Sequence, residues 1–293
     1  MRPHRRLYAR RVRILSIQSS VAYGHVGNSA AVFPLQRLGH DVWPVNTVHF
    51  SNHTGYGQWR GPLLDPADVT EVVAGVAERG VLPGCDAVLS GYQGAEAVGE
   101  VILDAVAQVK AANPAAVYCC DPVMGDVGRG FFVRPGIPEF MRDRVVPAAD
   151  LATPNQFELE FLTGRTVRTS DDLLGAVDAL RATGPRTVLV TSVTTGQTAP
   201  DSIEMVAVDD DGAWSVRTPL LPLSVNGAGD LTAALFLAHT LAEGPRTALE
   251  RTASSVFAVL RATHEGGHRE IALIAAQDEL LAPLRTFTAR RLR

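Results

Sequence analysis

Short apolar runs alternate with longer amphipathic segments along most of this sequence, and that alternation constrains its fold more than any other feature. Residues 87–89 are a short apolar run, and residues 96–112 then carry apolar side chains at helical spacing. Strands separated by helices of about 12–18 residues predict right-handed crossovers, and therefore a mostly parallel sheet with helices on both faces. No change in composition suggests a linker, so we expect one α/β domain over residues 13–293.

Polar or glycine-rich residues follow six of the predicted strands, at the edge where such sheets bind their ligands. Short polar residues are also ordinary turn chemistry, so no single position is decisive. The predicted strands cover residues 12–18, 42–48, 87–89, 116–120, 151–153, 187–191, 204–208 and 213–217. The predicted helices cover residues 27–38, 66–79, 96–112, a segment capped by Ser170, 230–239 and 247–263.

The basic residues comprise one lysine and 26 arginines, and this bias excludes one kind of site and argues against another. A P-loop requires Gly-Lys-Ser/Thr, which does not occur here. Lys110 stands at the end of an amphipathic run, whereas a Schiff-base enzyme needs a buried lysine. The net charge of -4 argues against a nucleic-acid partner. No apolar run approaches the roughly 20 residues that span a bilayer, so no membrane association is expected.

The first 13 residues contain six arginines and no acidic residue. They lack the apolar stretch of a secretory signal, so we expect residues 1–12 to form a flexible Arg-rich tail, with an organelle transit peptide as the alternative. The three cysteines, Cys85, Cys119 and Cys120, are too few for a disulfide framework. They fit a reducing compartment, and we therefore expect a cytoplasmic protein.

A glycine-rich turn before a helix of small residues is the most specific chemical motif. Gly227, Ala228 and Gly229 precede Asp230, and the helical run 230–239 follows. Backbone N–H groups turned toward one point at a helix N-terminus form an anion hole that needs no lysine. Asp230 is then either a base beside this hole or simply the helix N-cap.

Two further motifs place carboxylates at strand ends. Asp121 and Asp126 flank a Pro-Val-Met-Gly turn after the strand 116–120, and they suit a cation or equally a capped turn. Asn155 and Glu158 stand three residues apart at a helix start, where they suit Mg²⁺ or form a capping box. An anion hole, carboxylates for Mg²⁺ and an adjacent base together describe a phosphoryl-transfer site.

With these motifs the chain resembles the ribokinase-like superfamily and, within it, the pyridoxal kinases of vitamin B6 salvage. The run Phe-Ser-Asn-His-Thr-Gly-Tyr at residues 50–56 is the most specific part of this resemblance. The other stretches that carry it are residues 17–20, 23–31, 43–48, 89–92, 120–126 and 153–158. The resemblance runs from about residue 12 to the C-terminal region, and it implies a ribokinase-like fold.

The resemblance also implies roles for individual residues. Ser19 and Thr54 are expected to contact the pyridine ring, with Gly55 and Tyr92 in the same pocket. Asp230 is expected to take the proton of the 5′-hydroxymethyl group. The residues expected on the nucleotide side are Asp121, Asp126, Thr153, Asn155, Glu158, Thr191, Ser192 and Gly227. Among them, Asp121 and Glu158 are the expected metal ligands, and Asp121 with Thr153 matches the place of a monovalent cation such as K⁺.

The expected reaction is ATP-dependent phosphorylation of pyridoxal, and of pyridoxine and pyridoxamine, to the 5′-phosphates, with Mg²⁺ as cofactor. The alternatives are a hydroxymethylpyrimidine kinase on the same fold and a vitamin B6 carrier without catalytic activity. By analogy with such relatives we expect a homodimer. Two departures stand out: the loop 126–133 is shorter than the lid of the animal enzymes, and Ala228 stands where many relatives have threonine or valine.

Overall fold

The computed structural model describes residues 11–293, so the first ten residues of the predicted tail lie outside the described residues. Within this range, eleven strands form one nine-stranded sheet and one small two-stranded sheet. The strands are β1 Arg13–Val21, β2 Asp41–Phe50, β3 Ala87–Ser90, β4 Val117–Cys120, β5 Gly125–Asp126, β6 Gly130–Phe131, β7 Leu151–Ala152, β8 Thr187–Val193, β9 Ser202–Val208, β10 Ala213–Pro219 and β11 Arg290–Arg291.

Helices connect most of these strands. They are α1 Asn28–Arg37, α2 Pro66–Glu78, α3 Glu96–Ala112, α4 Ile137–Phe140, α5 Gln156–Thr163, α6 Ser170–Arg181, α7 Ala228–Glu243 and α8 Pro245–Glu265. A single helical turn, Thr54–Tyr56, follows β2. None of the helices within residues 11–293 is long and apolar enough to cross a membrane.

The main sheet runs in the order β11-β10-β9-β8-β7-β4-β3-β1-β2. The six strands from β8 to β2 in this order pair in parallel, whereas β9, β10 and β11 are antiparallel to their neighbours. The prediction of a mostly parallel α/β sheet is therefore confirmed. Because the parallel strands end at one edge, the residues that follow them are brought together there.

The core lies in two main layers, one on each face of the sheet. Helices α2, α3, α5 and α6 pack on one face, and α1, α7 and α8 pack on the other. Neighbouring residues of a buried strand point to opposite layers, as Cys119 and Cys120 do. Both cysteines are fully buried, as expected for core residues.

Several strands extend further than the sequence predicted, and this changes the position of some site residues. β1 continues to Val21 because Ser20 and Val21 pair with the end of β2, so Ser19 lies within the strand and not after it. β8 likewise includes Ser192. The predicted cap of α6 was wrong by one residue. Thr169 is the N-cap, because its hydroxyl accepts the Asp172 N–H while the Asp172 carboxylate accepts the Thr169 N–H.

Candidate active site

A cavity of about 350 Å³ opens at the carboxyl edge of the parallel strands. Every predicted site residue lines it except Gly55. Gly55 is exposed to solvent beside the lining residue Asn226, whose amide nitrogen would lie 2.5 Å from an added Cβ. The residues brought together are Ser19, Thr54, Tyr92, Asp121, Asp126, Thr153, Asn155, Glu158, Thr191, Ser192, Gly227, Ala228, Gly229 and Asp230.

Gly227, Ala228 and Gly229 form the turn at the start of α7 that was predicted as an anion hole, and we call it the anion turn. Its first position, residue 227, has to be glycine. It is the N-cap of α7 with φ of 90°, a left-handed conformation that other residues adopt only with strain. A Cβ here would also lie 1.8 Å from the His25 carbonyl oxygen. The first N–H groups of α7 have no partner within the helix, so together with the helix dipole they favour an anion at this point of the cavity.

Asp230 is the third residue of α7, so the interpretation as an N-cap was wrong: Gly227 occupies that position. Burial raises the pKa of Asp230, and the N–H groups of Gly27 and of Asp230 itself, together with the charge of His53, oppose this rise. A carboxylate whose pKa is raised is a stronger base than a solvated aspartate. Asp230 is therefore suited to accept a proton beside the anion turn.

Asp121 is buried, and its carboxylate accepts a hydrogen bond from the Thr153 hydroxyl at 3.0 Å. Burial raises the pKa of Asp121 well above its ordinary value, and the charges of Asp230 and Glu158 raise it further. These carboxyl groups therefore repel one another inside the protein, and a cation between them would relieve that repulsion.

Glu158 takes part in the capping box of α5 and also lines the cavity. One carboxylate oxygen accepts the Met124 N–H and the other accepts the Asn155 N–H, each at 2.9 Å. The capping box considered from the sequence is thus present, with the Asn155 side chain accepting the Glu158 N–H. Burial nevertheless raises the pKa of Glu158 to about 8, against the effect of these N–H donors.

These carboxylates fit a hydrated cation better than a closed protein cage. No group of three or more His, Cys, Asp or Glu side chains within residues 11–293 is arranged to hold a metal by itself. Mg²⁺ commonly keeps several waters and uses one or two carboxylates together with substrate phosphates. Asp121 and Glu158, buried with raised pKa values beside the anion turn, have the charge and the position for this kind of binding.

The predicted nucleotide side of the cavity includes a strained residue. Ser192 has φ of 54°, unlike any other non-glycine residue between 11 and 293. It lies where the pairing of β8 with β9 shifts register between Val190 and Val193. Such strain is often stored at functional sites. The Thr191 N–H next to it donates to the Pro154 carbonyl, which joins this bulge to the turn before α5.

Asp126 belongs to the loop 126–133, which is shorter than the lid that the resemblance implies. The structure gives this loop a two-stranded turn, in which Asp126 pairs with Gly130. Phe131 packs edge-on against Phe157 and Phe161 of α5. Arg129 donates to the Asn226 side chain at 3.1 Å, so the loop contacts the residue that precedes Gly227.

Two parts of the site were missed from the sequence. One is an apolar cleft beside the nucleotide residues, and the run of leucines and prolines before the anion turn was its available signal. Its lining includes Leu220, Leu221, Leu223, Val225, Val256 and Leu260. The other is Glu270, which binds His53 and Tyr56 from more than 200 residues away. No spacing rule in the sequence connects those residues.

Comparison with known proteins gives consistent matches. The family model described as phosphomethylpyrimidine kinase matches residues 84–272. Pyridoxal kinase PdxY of Rubrobacter xylanophilus is 65% identical over 280 residues, which cover 95% of this chain and 97% of the relative. Pyridoxal kinase PdxY of Leifsonia xyli is 60% identical over 281 residues, covering 96% and 99%. The structure of Leishmania donovani pyridoxal kinase in complex with ADP and pyridoxine superimposes with a TM-score of 0.90 at 30% identity, covering 96% and 99%.

Proposed function

The chain belongs to the pyridoxal kinase family, and on that premise we propose which of its residues carry the phosphoryl transfer. The reaction is the ATP-dependent phosphorylation of pyridoxal. The single observation that supports our assignment best is the convergence of three carboxyl groups, the buried Asp121 and Glu158 and the partly buried Asp230, on a helix N-terminus that favours anions.

In the proposed mechanism the 5′-hydroxymethyl oxygen of pyridoxal attacks the γ-phosphorus of ATP. The new O–P bond forms as the bond to the β–γ bridging oxygen breaks, and ADP leaves with that electron pair. Asp230 accepts the hydroxyl proton, a role worth about 10²–10⁴ in rate. The backbone N–H groups of Gly227, Ala228 and Gly229 stabilise the negative charge of the transferring group.

Asp121 and Glu158 would hold Mg²⁺, through water or directly. When bound, Mg²⁺ supplies neutralisation of the charge on the phosphate oxygens. Asp121 and Thr153, which are hydrogen-bonded to each other, are the proposed place for a monovalent cation such as K⁺. Asp126, Asn155, Thr191 and Ser192 line the nucleotide side of the same cavity, and the apolar cleft beside them suits a heteroaromatic base.

At the substrate end, Ser19 and Thr54 are the proposed polar contacts of the pyridine ring. Tyr92 forms part of the wall, and the Thr47 hydroxyl donates to its carbonyl oxygen at 2.7 Å. Apolar side chains such as those of Val48 and Phe50 complete this end of the cavity. A few directed polar groups in an apolar wall are typical of a site for a small ring.

Three further proposals concern the whole chain. We expect a single domain over residues 13–293, and it also includes Val12, which was predicted to belong to the tail but is buried against the core. We expect a homodimer, on the resemblance alone. A cytoplasmic location is supported by Cys85, Cys119 and Cys120, which are free thiols.

The matching family model favours one second candidate, because its description names a phosphomethylpyrimidine kinase. Release of ADP with Mg-ATP and each of pyridoxal, pyridoxine, pyridoxamine and hydroxymethylpyrimidine separates the two functions. We expect turnover with pyridoxal and a product with the absorption of pyridoxal phosphate. Turnover with hydroxymethylpyrimidine alone would overturn the proposed function in favour of this candidate. Tight binding of pyridoxal without ADP release would instead identify a carrier.

A further inference from the structure

Glu270 lies beyond α8, yet it receives hydrogen bonds from two segments that line the substrate end. Its Oε1 accepts the His53 Nε2–H at 3.0 Å and the Tyr56 hydroxyl at 2.6 Å, and its Oε2 accepts the His25 N–H at 3.1 Å. Its side chain is 13% exposed. We propose that Glu270 is a positioning residue, which keeps the carboxylate of the base Asp230 correctly placed relative to the substrate pocket. This proposal rests on the proposed function.

Glu270 is suited to this role because it is a permanent acceptor. Burial alone would raise the pKa of Glu270, but the hydrogen bonds from Tyr56, the His25 N–H and His53 hold it below its usual value. The hydrogen bond to Glu270 raises the pKa of Tyr56 in turn, so the phenol stays protonated and donates. An ionised carboxylate only accepts, so His53 must carry its proton on Nε2.

The orientation of His53 matters because this ring lines the cavity. Its second nitrogen, Nδ1, is buried and has no hydrogen-bond partner among residues 11–293. When both ring nitrogens are protonated, the positive charge of His53 also lowers the pKa of Asp230. Glu270 is therefore connected to the base Asp230 in two ways, which together we call the brace. The first connection runs through His53, which Glu270 orients and whose charge affects the pKa of Asp230.

The second connection between Glu270 and Asp230 runs through the turn 24–27. The Gly27 N–H donates to the Asp230 carboxylate, and the His25 N–H in the same turn donates to Glu270. Gly24 has φ of 96°, and a Cβ there would come within 2.2 Å of Glu270 Oε2, so only glycine permits this approach. One end of the turn thus contacts Glu270, and the other end contacts the base.

The same segments also abut the anion turn. The His25 carbonyl oxygen packs so closely on Gly227 that a Cβ there would lie at 1.8 Å, and Ile271, next to Glu270, would be 3.3 Å from the same atom. Displacement of Glu270 would therefore disturb the base and the part of the anion turn beside it, both of which act on the transferring group in the transition state, so the loss is expected in kcat. A misplacement of about 1 Å can cost about 10²-fold in rate.

Glu279 offers a matched control for the loss of a buried carboxylate. It follows Glu270 in the same C-terminal segment, and its side chain is 17% exposed. It accepts hydrogen bonds from Arg261 at 3.0 Å and from the Leu284 N–H at 2.9 Å. Glu279 is not among the residues that line the cavity, so its loss tests stability without touching the proposed brace.

The experiment measures ADP release by the full chain, with pyridoxal and Mg-ATP varied separately, for E270A, E270Q and E279Q. Glutamine can keep the acceptor that faces His53 and Tyr56, but its amide nitrogen cannot accept from His25. We expect kcat to fall about 30-fold or more in E270A and about 5- to 10-fold in E270Q, with KM for Mg-ATP within about twofold of wild type. E279Q should match wild type within about twofold in every constant.

The outcomes separate a failure of the proposed function from a failure of the positioning role of Glu270. No turnover of pyridoxal by the wild-type chain would defeat the proposed function itself. Turnover by wild type together with unchanged kcat in E270Q and E270A would overturn the positioning role. A loss of kcat accompanied by an equal rise in KM for Mg-ATP would also overturn it, because this would indicate general distortion. If E270A fails to fold, E270Q and E279Q still decide the question, because both retain a side chain of the original size.

Discussion

The two ends of the cavity are built in opposite ways. At the substrate end, His53, Tyr56 and Glu270 satisfy one another through direct hydrogen bonds. At the phosphate end, burial and mutual repulsion raise the pKa values of Asp121 and Glu158, among neighbours that are also acidic. The first end is assembled by the protein itself, whereas we expect the second to be completed by the charges of the nucleotide and its proposed cation.

The largest expected effect comes from removing the base at the junction of the two ends. Asp230→Asn should lower kcat by at least about 10²-fold, because the amide cannot accept the hydroxyl proton. Steady-state ADP release measures kcat, and circular dichroism checks the fold. Near-normal turnover by folded D230N would remove Asp230 from the mechanism.

A somewhat smaller effect is expected from the anion turn. Gly227→Ala adds a Cβ to a residue with φ of 90°, against the His25 carbonyl oxygen. We expect kcat to fall at least about tenfold and the free energy of unfolding to drop by about 1–3 kcal/mol. Denaturant unfolding and ADP release measure the two losses. A variant as active and stable as wild type would show that the turn tolerates displacement.

The clustered carboxyl groups of the phosphate end predict an unusual pH dependence for the protein without ligands. The folded chain holds a proton on Asp121 and Glu158 at pH values where the unfolded chain has already released it. The pKa of Glu158 is about 8 when folded against an ordinary value of 4.5, so the free energy of unfolding should fall as pH rises through this interval.

Asp121→Asn tests this directly, because asparagine retains an acceptor for the Thr153 hydroxyl but carries no charge. We expect the free energy of unfolding of D121N at pH 8 to exceed that of wild type by about 1–3 kcal/mol, with weaker binding of Mg-ATP. Urea unfolding from pH 5 to pH 8 makes the comparison. If D121N is less stable than wild type at pH 8, repulsion between the carboxylates does not destabilise the folded chain.

The smallest effect is expected at Ala228, where the resemblance implies that many relatives have threonine or valine. The anion turn acts through backbone N–H groups, and Ala228 lies in the first helical turn of α7. Ala228→Thr should therefore keep kcat within about threefold of wild type. A loss as large as that of G227A would mean that side chains at this turn, and not only its backbone, determine turnover.

Local sequence patterns predicted the architecture well and the strand ends poorly. The helix at residues 96–112 was predicted with the bounds that the structure gives it, because its apolar spacing and Asn113-Pro114 are local signals. The end of β1 was wrong, since Ser20 and Val21 are held in the strand by pairing with β2. Pairing partners distant in sequence decide such ends.

The candidate site shows the same division. Asp121, Asp230 and the anion turn could be predicted because each follows a strand or begins a helix, and parallel strands bring those positions to one edge. Glu270 could not be predicted, because its contacts with His25 and His53 depend on how the C-terminal segment folds back over the cavity. Their residue types carry no pattern that links them.

Calorimetric titration of the full chain with pyridoxal and with ADP, each in Mg²⁺ and in EDTA, tests the difference between the two ends most directly. We predict that EDTA changes the Kd of pyridoxal by less than about threefold but weakens ADP binding at least about tenfold, because only the phosphate end requires a cation. Loss of pyridoxal binding in EDTA, with ADP binding unchanged, would contradict the account.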